Sequence, residues 1–371
     1  MSTTDMSPFS PEDTKMKQAI DGKAIVYADG AFTTPNGKTA HGLVRFARRY
    51  DVVGVIDHRF AGQDAGMVLD GKVSGIMIYN DLGEAIAQQR LGAEPCSLVI
   101  GLAPDGGRLP EAAQAVIKEA LELSLNVDSG LHDFLYKNKE LMQIAQDNGC
   151  RVRDIRKTPD REELHFFSGK IEAVDCLKIA ILGSDSAIGK RTTAWLIVNA
   201  AEKSGLKAEM IGTGQTAWMQ GARYSMIMDS CINDFVSGEI EHAVYEAWKN
   251  EAPDVIVIEG QGSLMNPAYP GGFEILAAGR PDFVILQHAP RRLEYDGFPG
   301  YRLHSLPEQI NAIETVSGRK VAAVTLNHEL MEAADIEREC AMITAQTGLP
   351  TVDVLYSGAD RIVELIRAHL K

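Results

Sequence analysis

The stretch most suited to chemistry is ILGSDSAIGKRTTAW, residues 181–195. Loops that bind phosphate follow the pattern G-x-x-x-x-G-K-[ST], in which glycines let backbone N–H groups surround the phosphate oxygens. Here five residues separate Gly183 from Gly189, and Arg191 takes the place of the usual magnesium-binding hydroxyl residue. An apolar run precedes the loop and a helical pattern follows it, so helix N-terminal amides and the Lys190 ammonium would face one anion. The pattern predicts phosphate binding; a strand–helix turn without a ligand is the alternative.

Two threonines beyond the loop are candidates for the missing hydroxyl. Thr192 and Thr193 directly follow Arg191. A longer loop or a shifted first helical turn would present one of them to a metal ion, and we take Thr192 as the predicted ligand. The residues expected to surround the phosphates are Gly183, Ser184, Asp185, Ser186, Ala187, Ile188, Gly189, Lys190, Arg191, Thr192 and Thr193.

A second acidic element supports the phosphate-site prediction. In PDVIVIEGQGSLMNP, an apolar strand pattern ends at Glu259. A carboxylate at the carboxyl edge of a parallel sheet lies at the same edge as a phosphate loop, where it can hold magnesium. A strand-end glutamate facing solvent is the alternative. The residues Gly260, Gln261 and Gly262 follow, and we expect them to approach the substrate.

Further polar residues are candidates for acid–base chemistry and substrate binding. Asp229, Asp234 and His242 belong to an acidic group that would supply a general base, or else forms a solvated helix face. Arg223 is suited to pair with a substrate carboxylate. The other predicted substrate contacts follow strand patterns: Gly214, Gln215 and Arg291.

The chain positions these residues by alternating strand and helix patterns, which predict an α/β fold with two parallel-sheet domains. We predict an N-terminal Rossmann-like domain over residues 21–165 and a P-loop NTPase-type domain over residues 170–371, after a flexible arm over residues 1–20. The charged segment 151–172 reads as the bridge between the domains. Helices are expected at 110–126 and 131–148, and a strand at 351–356.

The N-terminal half has the layout of a first Rossmann unit without its glycine fingerprint. A strand pattern over 23–28 and a later one ending before Asp57 place that carboxylate where a ribose-binding acid would lie. The G-x-G-x-x-G sequence is missing, although Gly37, Lys38 and Thr39 imitate part of a phosphate loop. We therefore expect this half to shape a substrate cleft or an oligomer contact rather than to bind a dinucleotide.

Composition limits the partners and the compartment. The 371 residues carry a formal net charge of -14, which disfavours nucleic acid and anionic membranes as partners. Five scattered cysteines without a C-x-x-C pair suggest reduced thiols, and the polar start lacks the apolar core of a signal peptide. We expect a cytoplasmic protein, with a homo-oligomer as its most natural assembly.

The loop and the acidic strand end resemble those of dethiobiotin synthetase and related amide-forming P-loop enzymes. In that family a G-T-D-T-x-V-G-K-T loop pairs with an E-G-A-G-G strand end. The resemblance implies phosphate contact by Lys190, magnesium ligation by Glu259 and Asp185, and contact of Asn327 with an adenine base. Arg191 departs from that pattern.

The two-domain family of D-glutamate N-acetyltransferase is more similar. Its loop runs G-T-D-x-x-V-G-K-x-T-T and tolerates a residue without a hydroxyl after the lysine, as Arg191 is here. Its G-T-G-Q-T and D-x-x-x-x-D-F-x-x-G-x-x-E elements also occur here, at 212–216 and 229–241. The resemblance implies transfer of an acyl group to a small amino-acid-like substrate.

Three functions follow from these patterns. The first is an N-acyltransferase that uses acetyl-CoA, whose phosphates the loop would bind. The second is an ATP-dependent carboxylate–amine ligase or kinase, in which Lys190 and Mg²⁺ would stabilise phosphoryl transfer. The third is a nucleotide sensor without catalysis. The loss of the hydroxyl at Arg191 favours the first.

Overall fold

The computed structural model describes residues 21–90 and 96–370. The predicted N-terminal arm, residues 1–20, lies outside the described residues. The chain separates into two compact units: an N-terminal unit of residues 21–158 with 215–222, and a P-loop unit of residues 159–214 with 223–370. The sequence placed the boundary between residues 165 and 170. Within the described residues, none of the helices has both the length and the apolar character needed to cross a membrane.

The N-terminal unit is built on a parallel sheet with strand order β3-β2-β1-β4-β5-β6. The strands are β1 (Lys23–Tyr27), β2 (Asp51–Ile56), β3 (Met77–Tyr79), β4 (Cys96–Ile100), β5 (Asn126–Ser129) and β6 (Val152–Asp154). Side chains of β1 alternate between two hydrophobic clusters, with Ile25 in one and Val26 in the other. Both faces of the sheet are therefore buried, as in other parallel sheets covered by helices.

Helices cover this sheet and connect its strands. The helices of the N-terminal unit are Lys38–Arg45, Ala65–Asp70, Leu82–Gln89, Glu111–Glu122, Lys139–Asp147 and Gln215–Gln220. Short 3₁₀ turns occur at Pro35–Gly37, His58–Phe60, Asp105–Gly107 and Leu135–Lys137. The strand order reverses between β1 and β4, because the chain goes from β1 to one side of the sheet and later returns to the other.

The P-loop unit contains a second parallel sheet, with strand order β13-β12-β11-β7-β10-β8-β9. The strands are β7 (Leu177–Gly183), β8 (Ala208–Gly212), β9 (Tyr224–Ser225), β10 (Val255–Glu259), β11 (Phe283–His288), β12 (Val321–Leu326) and β13 (Thr351–Val352). All seven residues of β7 are buried, which fits its central place in the sheet. The two parallel sheets confirm the predicted fold class.

The helices of the P-loop unit lie between these strands and after the last of them. They span Lys190–Lys203, Asn233–Glu251, Phe273–Ala278, Leu306–Ser317, Ala333–Thr347, Val354–Ser357 and Asp360–His369. Additional 3₁₀ turns occur at Arg161–Glu163, Lys170–Ala173 and Met228–Ser230.

Three of the predicted elements were wrong in extent, and side-chain caps explain two of them. The expected helix over 131–148 begins only at Lys139, because the Asn138 side chain accepts from two helical N–H groups and caps it there. The expected strand over 351–356 stops at Val352, because Asp353 caps the short helix that follows. The helix predicted to reach residue 126 ends at Glu122, and residues 126–129 form β5.

The predicted bridge over residues 151–172 was also wrong at its start. Its early residues form β6, which pairs with β5 at the edge of the N-terminal sheet. Arg153 explains this placement, since its guanidinium forms an ion pair with the fully buried carboxylate of Asp128, at 2.6 Å.

Candidate phosphate-binding site

The phosphate loop connects the end of β7 to the helix Lys190–Lys203. Gly183 ends the buried strand, and the chain turns back through two left-handed residues, Ala187 at φ 52° and Gly189 at φ 94°. A positive φ is uncommon outside glycine, so Ala187 marks a tightly wound loop. The helix begins at Lys190, with its N-terminal amides at the loop, as a phosphate site requires.

Lys190 is buried inside the loop and held by backbone carbonyl groups. Its ammonium donates to the carbonyl oxygens of Asp185 and Gly262, each at 2.7 Å. Burial lowers the pKa of Lys190 to about 8, although the carboxylates of Asp185 and Glu259 act in the opposite direction. The side chain therefore lies where the sequence placed the phosphate-binding cation.

Two glycines make room for this lysine. A Cβ atom on Gly183 would lie 2.9 Å from the Lys190 Nζ atom. A Cβ atom on Gly260 would lie 2.1 Å from the carbonyl oxygen of Ile181 and 3.1 Å from the Lys190 side chain. Gly260 is thus required by the close passage of the β7 and β10 backbones, and Gly183 leaves the space that the Lys190 side chain occupies.

Asp185 serves as a clamp in the middle of the loop. Its carboxylate is fully buried and accepts from the Ser186 and Asp296 N–H groups, the Asn266 amide and the Arg292 guanidinium, at 2.7 to 2.9 Å. Both oxygens are therefore occupied by protein donors. The predicted role of Asp185 as a metal ligand does not fit this arrangement.

Arg292 is the positive partner of that clamp. One guanidinium nitrogen donates to Asp185 and to the Ser186 carbonyl, at 2.9 and 2.7 Å. The other two nitrogens bind the carboxylate of Glu329 in a bidentate pair, at 2.7 and 2.8 Å. Burial alone would lower the pKa of Arg292, but the two acidic partners outweigh it and raise the pKa.

Glu259 lies at the carboxyl end of β10, as predicted, and it is buried. Its carboxylate accepts from the N–H group of Thr213 at 2.8 Å. Burial raises the pKa of Glu259, while Arg191 and then Lys190 act to lower it. Arg191, the residue that breaks the usual pattern, therefore contributes positive charge that favours the ionised form of this carboxylate.

The two threonines of the loop have different surroundings. The Thr193 hydroxyl is buried and donates to the Gln287 side chain at 2.6 Å. Gln287 also accepts from Thr325 on the neighbouring strand, so Thr193 is part of the sheet's polar packing. Thr192 is half-buried at the start of the helix, where the sequence predicted a magnesium ligand.

The remaining loop residues are braced by neighbouring strands. The Ser184 hydroxyl bonds to the ring of buried His288 at 2.9 Å, and burial lowers the pKa of that histidine to about 4. Asn327 donates to the Ile188 carbonyl at 2.9 Å and accepts from the Glu329 N–H. Each end of Asn327 thus supports the loop through one hydrogen bond, and its contact with an adenine base stays a prediction.

The predicted substrate residues fall into separate groups. Gln261 donates to the Thr213 hydroxyl at 3.0 Å and lies close to Gly214, so both are at the Glu259 strand end. Gly262 has φ 51° and presents its carbonyl to Lys190. Gln215 belongs to the N-terminal unit.

Arg223 and Arg291 are held in ion pairs by side chains of their own unit. Arg223 pairs with Glu209 and Glu251. Arg291 is exposed and pairs with Glu339 at 3.3 Å. Neither arrangement favours the predicted substrate contact.

The acidic element around residues 229–242 was predicted to supply a general base, and its residues have other surroundings. Asp229 and Asp234 are exposed, and the His242 ring stacks on that of His165 at 3.6 Å. Burial and the neighbouring His165 lower the pKa of His242. Within residues 21–90 and 96–370, no hydrogen bond or ion pair joins His242 to the phosphate loop.

Glu241 explains what this element does in the fold. Its buried carboxylate accepts from the N–H and hydroxyl of Ser168 and from the N–H of Ile171, at 2.6 to 3.2 Å. Gly238 allows the same segment to approach, since a Cβ there would lie 1.9 Å from the His165 carbonyl oxygen. The motif therefore anchors residues 165–171 against the helix Asn233–Glu251.

Sequence reasoning missed Gln287 and Asn266. Each acts across a long sequence separation, with Asn266 reaching Asp185 and Gln287 reaching Thr193. The position of Gln287 near the carboxyl end of β11 was the available signal.

A Rossmann-like sheet followed by a sheet with a phosphate loop defines a class of two-domain P-loop proteins. The chain belongs to the DUF1611 family. The family model described as "Domain of unknown function (DUF1611_C) P-loop domain" matches residues 165–363, and the one described as "Domain of unknown function (DUF1611_N) Rossmann-like domain" matches residues 58–158.

Similar proteins support this assignment along most of the chain. A D-glutamate N-acetyltransferase from Tritonibacter scottomollicae is 29% identical over 77% of this chain and 86% of its own length. Another from Pseudoalteromonas is 29% identical over 74% and 81%. A crystal structure of a DUF1611 family protein from Anabaena variabilis has a TM-score of 0.85 at 28% identity, covering 94% of this chain and 99% of its own. The resemblance to the D-glutamate N-acetyltransferase family seen in the sequence is confirmed.

Proposed function

We propose that this protein is an N-acyltransferase that binds acetyl-CoA through the phosphate loop and acetylates an amino acid. The observation that carries the proposal is the charge arrangement around the loop. Asp185 pairs with Arg292, and Glu259 lies in the field of Arg191. Of the two acids that would hold magnesium in an ATP enzyme, Asp185 thus has a cationic partner in the protein, and Glu259 is subject to positive charge from Arg191.

This arrangement suits a donor that is bound by its phosphates without being cleaved there. Lys190 and the amides at the start of a 14-residue helix provide positive charge to a polyanion. Phosphoryl transfer additionally needs charge stabilisation on the transferred group, usually by magnesium. Binding the phosphates of coenzyme A needs positive charge but no stabilisation of a transferred phosphoryl group. Lys190 and the helix N-terminal amides can supply that charge without a metal ion.

The proposed reaction transfers an acetyl group from sulfur to nitrogen, with one proton passing in the same direction as the leaving group. The neutral amine nitrogen of the amino acid attacks the thioester carbonyl, so a carbon–nitrogen bond forms and the carbon–sulfur bond breaks. The proton that the nitrogen loses ends on the departing sulfur, and coenzyme A leaves as its thiol. The curated relatives named D-glutamate N-acetyltransferase support D-glutamate as the first acceptor to test. In this proposal Lys190 positions the donor and takes no part in proton transfer.

A second candidate is an ATP- and Mg²⁺-dependent carboxylate–amine ligase. Thr192 favours it, because its half-buried hydroxyl lies at the helix start, where a magnesium ligand is expected. Glu259 would be the second ligand, and the metal ion would then replace Arg191 as the main positive charge acting on its carboxylate.

One titration series separates the two candidates. Calorimetric binding of acetyl-CoA should be unchanged by EDTA and should be lost in Lys190→Ala. Lys203→Ala, at the other end of the same helix, is the matched control and should bind as the wild type does. Thiol release from acetyl-CoA should then depend on an added amino acid. Binding of Mg-ATP alone, with ADP formed when an amino acid is present, would overturn the acyltransferase proposal.

A further inference from the structure

A polar cavity of about 220 Å³ lies within the N-terminal unit. Its wall includes Lys38, Gly107, Gly130, His132, Arg156 and Gln215. Lys38 begins the first helix after β1, and the other residues up to Arg156 follow β4, β5 and β6. The cavity therefore lies at the carboxyl edge of the parallel sheet.

This position is where an open parallel sheet usually binds its ligand. The strand order reverses between β1 and β4, and the loops after these two strands contribute Lys38 and Gly107 to the wall. Ligands of such sheets bind outside the carboxyl ends of the strands, at the point where the order reverses. The missing glycine fingerprint does not affect this geometry, since that fingerprint serves dinucleotides alone.

Close contacts position the basic groups of the cavity. Arg156 donates from Nε to the Gly130 carbonyl at 2.6 Å, and its Nη1 lies 3.2 Å from the His132 ring nitrogen. A Cβ on Gly107 would lie 2.2 Å from the His132 ring, and one on Gly130 would lie 2.7 Å from the Gln215 side chain. The two glycines thus let His132 and Gln215 approach the backbone.

The helix that carries Lys38 is fixed to the loop after β4. The Ala40 N–H donates to the Gly101 carbonyl at 3.0 Å, and the Ala103 N–H donates to the Asn36 carbonyl at 2.6 Å. The Thr39 hydroxyl lies 2.9 Å from that of Thr216 in the helix Gln215–Gln220. These bonds hold the start of the helix, and therefore the backbone of Lys38, beside the cavity.

We propose that this cavity binds the carboxylate of the amino-acid substrate. Among the wall residues that the structure describes, Lys38 and Arg156 carry a full positive charge and none is acidic. A planar guanidinium recognises a carboxylate through paired hydrogen bonds, and the Gln215 amide adds a neutral donor and acceptor. The volume is below the roughly 300 Å³ at which pockets for drug-sized ligands begin, so it suits a small metabolite.

The inference rests on the proposed function for the identity of its ligand, and its test measures binding without any acyl donor. D-glutamate, L-glutamate, D-alanine and inorganic phosphate are titrated separately into the full chain by calorimetry. Arg156→Gln and Lys38→Gln should each weaken amino-acid binding by at least about tenfold, as expected for the loss of a charged hydrogen bond. Lys157→Gln, which removes the same charge one residue outside the wall, is the control and should bind as the wild type does.

The outcomes separate this proposal from the proposed function. Wild-type affinity in folded Arg156→Gln and Lys38→Gln overturns the cavity assignment, whatever acetyl-CoA does at the phosphate loop. Binding of phosphate but of none of the amino acids also overturns it. If the variants lose amino-acid binding while the wild type neither binds nor consumes acetyl-CoA, the cavity assignment holds and the acyltransferase proposal fails. The far-UV circular dichroism spectrum of each variant reports that the chain is folded.

Discussion

Asp185 and Arg292 form a buried ion pair that joins the phosphate loop to the segment after β11, with Nη1 of the arginine 2.9 Å from Oδ2 of the aspartate. The aspartate side chain is fully buried and that of the arginine is 16% exposed. In P-loop enzymes of the type that this loop resembles, an acid at this place would lie near the metal. Here the Arg292 guanidinium lies next to the carboxylate instead. This favours the proposed donor, acetyl-CoA, because its phosphates can be bound without a metal ion.

Replacing Arg292 by methionine should destabilise the P-loop unit. The change leaves the Asp185 carboxylate buried without its cation, and breaking such a pair costs about 3–5 kcal/mol. Denaturant unfolding followed by tryptophan fluorescence measures the loss, with the transitions of the two units fitted separately.

Arg291→Met is the matched control, because it removes the same side chain one residue earlier. The Arg291 side chain is 44% exposed in its pair with Glu339, so the expected loss is at most about 1 kcal/mol. Equal losses of unfolding free energy in the two variants would contradict the role of Arg292 as the buried cationic partner of Asp185.

Binding of acetyl-CoA should weaken at alkaline pH because of Lys190. Burial lowers the pKa of this lysine to about 8 in the free loop, and bound phosphates favour the ammonium form. Affinity should therefore be constant from about pH 7 to the free pKa, and above it should fall by about tenfold per pH unit, since one proton is then taken up on binding. Isothermal calorimetry between pH 7 and pH 9.5 measures this slope.

In the unliganded protein, Lys190 should make the free energy of unfolding rise with pH, whereas it makes the affinity for acetyl-CoA fall. The pKa of the folded state lies below the ordinary lysine value of 10.5, so the unfolded chain binds more protons between about pH 8 and that value. The contribution of Lys190 to the unfolding free energy therefore rises with pH in this window.

The binding prediction has its own contradicting outcome. An affinity for acetyl-CoA that does not change up to pH 9.5 would show that the Lys190 ammonium is not the phosphate contact.

Adding one methyl group at Gly260 should disturb the site where β7 and β10 meet. The new Cβ of Gly260→Ala would lie 2.1 Å from the Ile181 carbonyl oxygen, so the two strand ends must separate. Overpacking of this kind costs about 1–3 kcal/mol, and acetyl-CoA affinity should fall with it because Lys190 is displaced. Thermal unfolding and calorimetry report the two effects.

Gly83→Ala is the control for this substitution. Gly83 lies in the helix Leu82–Gln89, and its added Cβ would have only the Asp81 side chain nearby, at 3.5 Å. Alanine is the better helix former by about 1 kcal/mol, so this variant should be unchanged or slightly more stable. A loss of stability equal to that of Gly260→Ala would argue against the close-passage explanation.

The sequence predicted the local features and not the long-range contacts. The strand, the glycines and Lys190 follow one another within residues 177–193, so their pattern alone placed the loop on a strand–helix junction. The partner of Asp185, by contrast, is 107 residues away, and no local spacing indicates it. The same holds for Asn327, whose strand-end position was predicted but whose bond to Ile188 depends on how the strands pack.

The acidic element shows a different reason for error. Asp234, Glu241 and His242 share a short stretch, which made a catalytic group plausible from the sequence. On a helix, however, neighbours in sequence point in different directions. Glu241 is buried against residues 168–171, whereas Asp234 is exposed in the first turn. The residue types therefore identified the stretch, but the helix places their side chains in different environments.

Glu241→Gln should lower stability in a pH-dependent way. Burial alone would raise the pKa of Glu241, but hydrogen bonds from Ser168 and Ile171 outweigh it and hold the pKa below the ordinary value of 4.5. The carboxylate therefore stabilises the fold above about pH 4.5, and this contribution is lost as the pH falls through the lowered pKa. At pH 7 the variant should lose about 1–3 kcal/mol, the cost of weakening hydrogen bonds to a buried charged group.

The comparison with Asp234→Asn distinguishes an anchor from a general acidic effect. Asp234 is exposed in the first helical turn, where a carboxylate contributes about 0.3–1 kcal/mol through the helix dipole. Chemical denaturation at pH 7 and pH 4 should give a difference between Glu241→Gln and the wild type that shrinks at the lower pH, while Asp234→Asn changes little at either. If Asp234→Asn instead abolishes amino-acid-dependent thiol release in a fully stable protein, the anchoring role is incomplete and this helix also supplies the base.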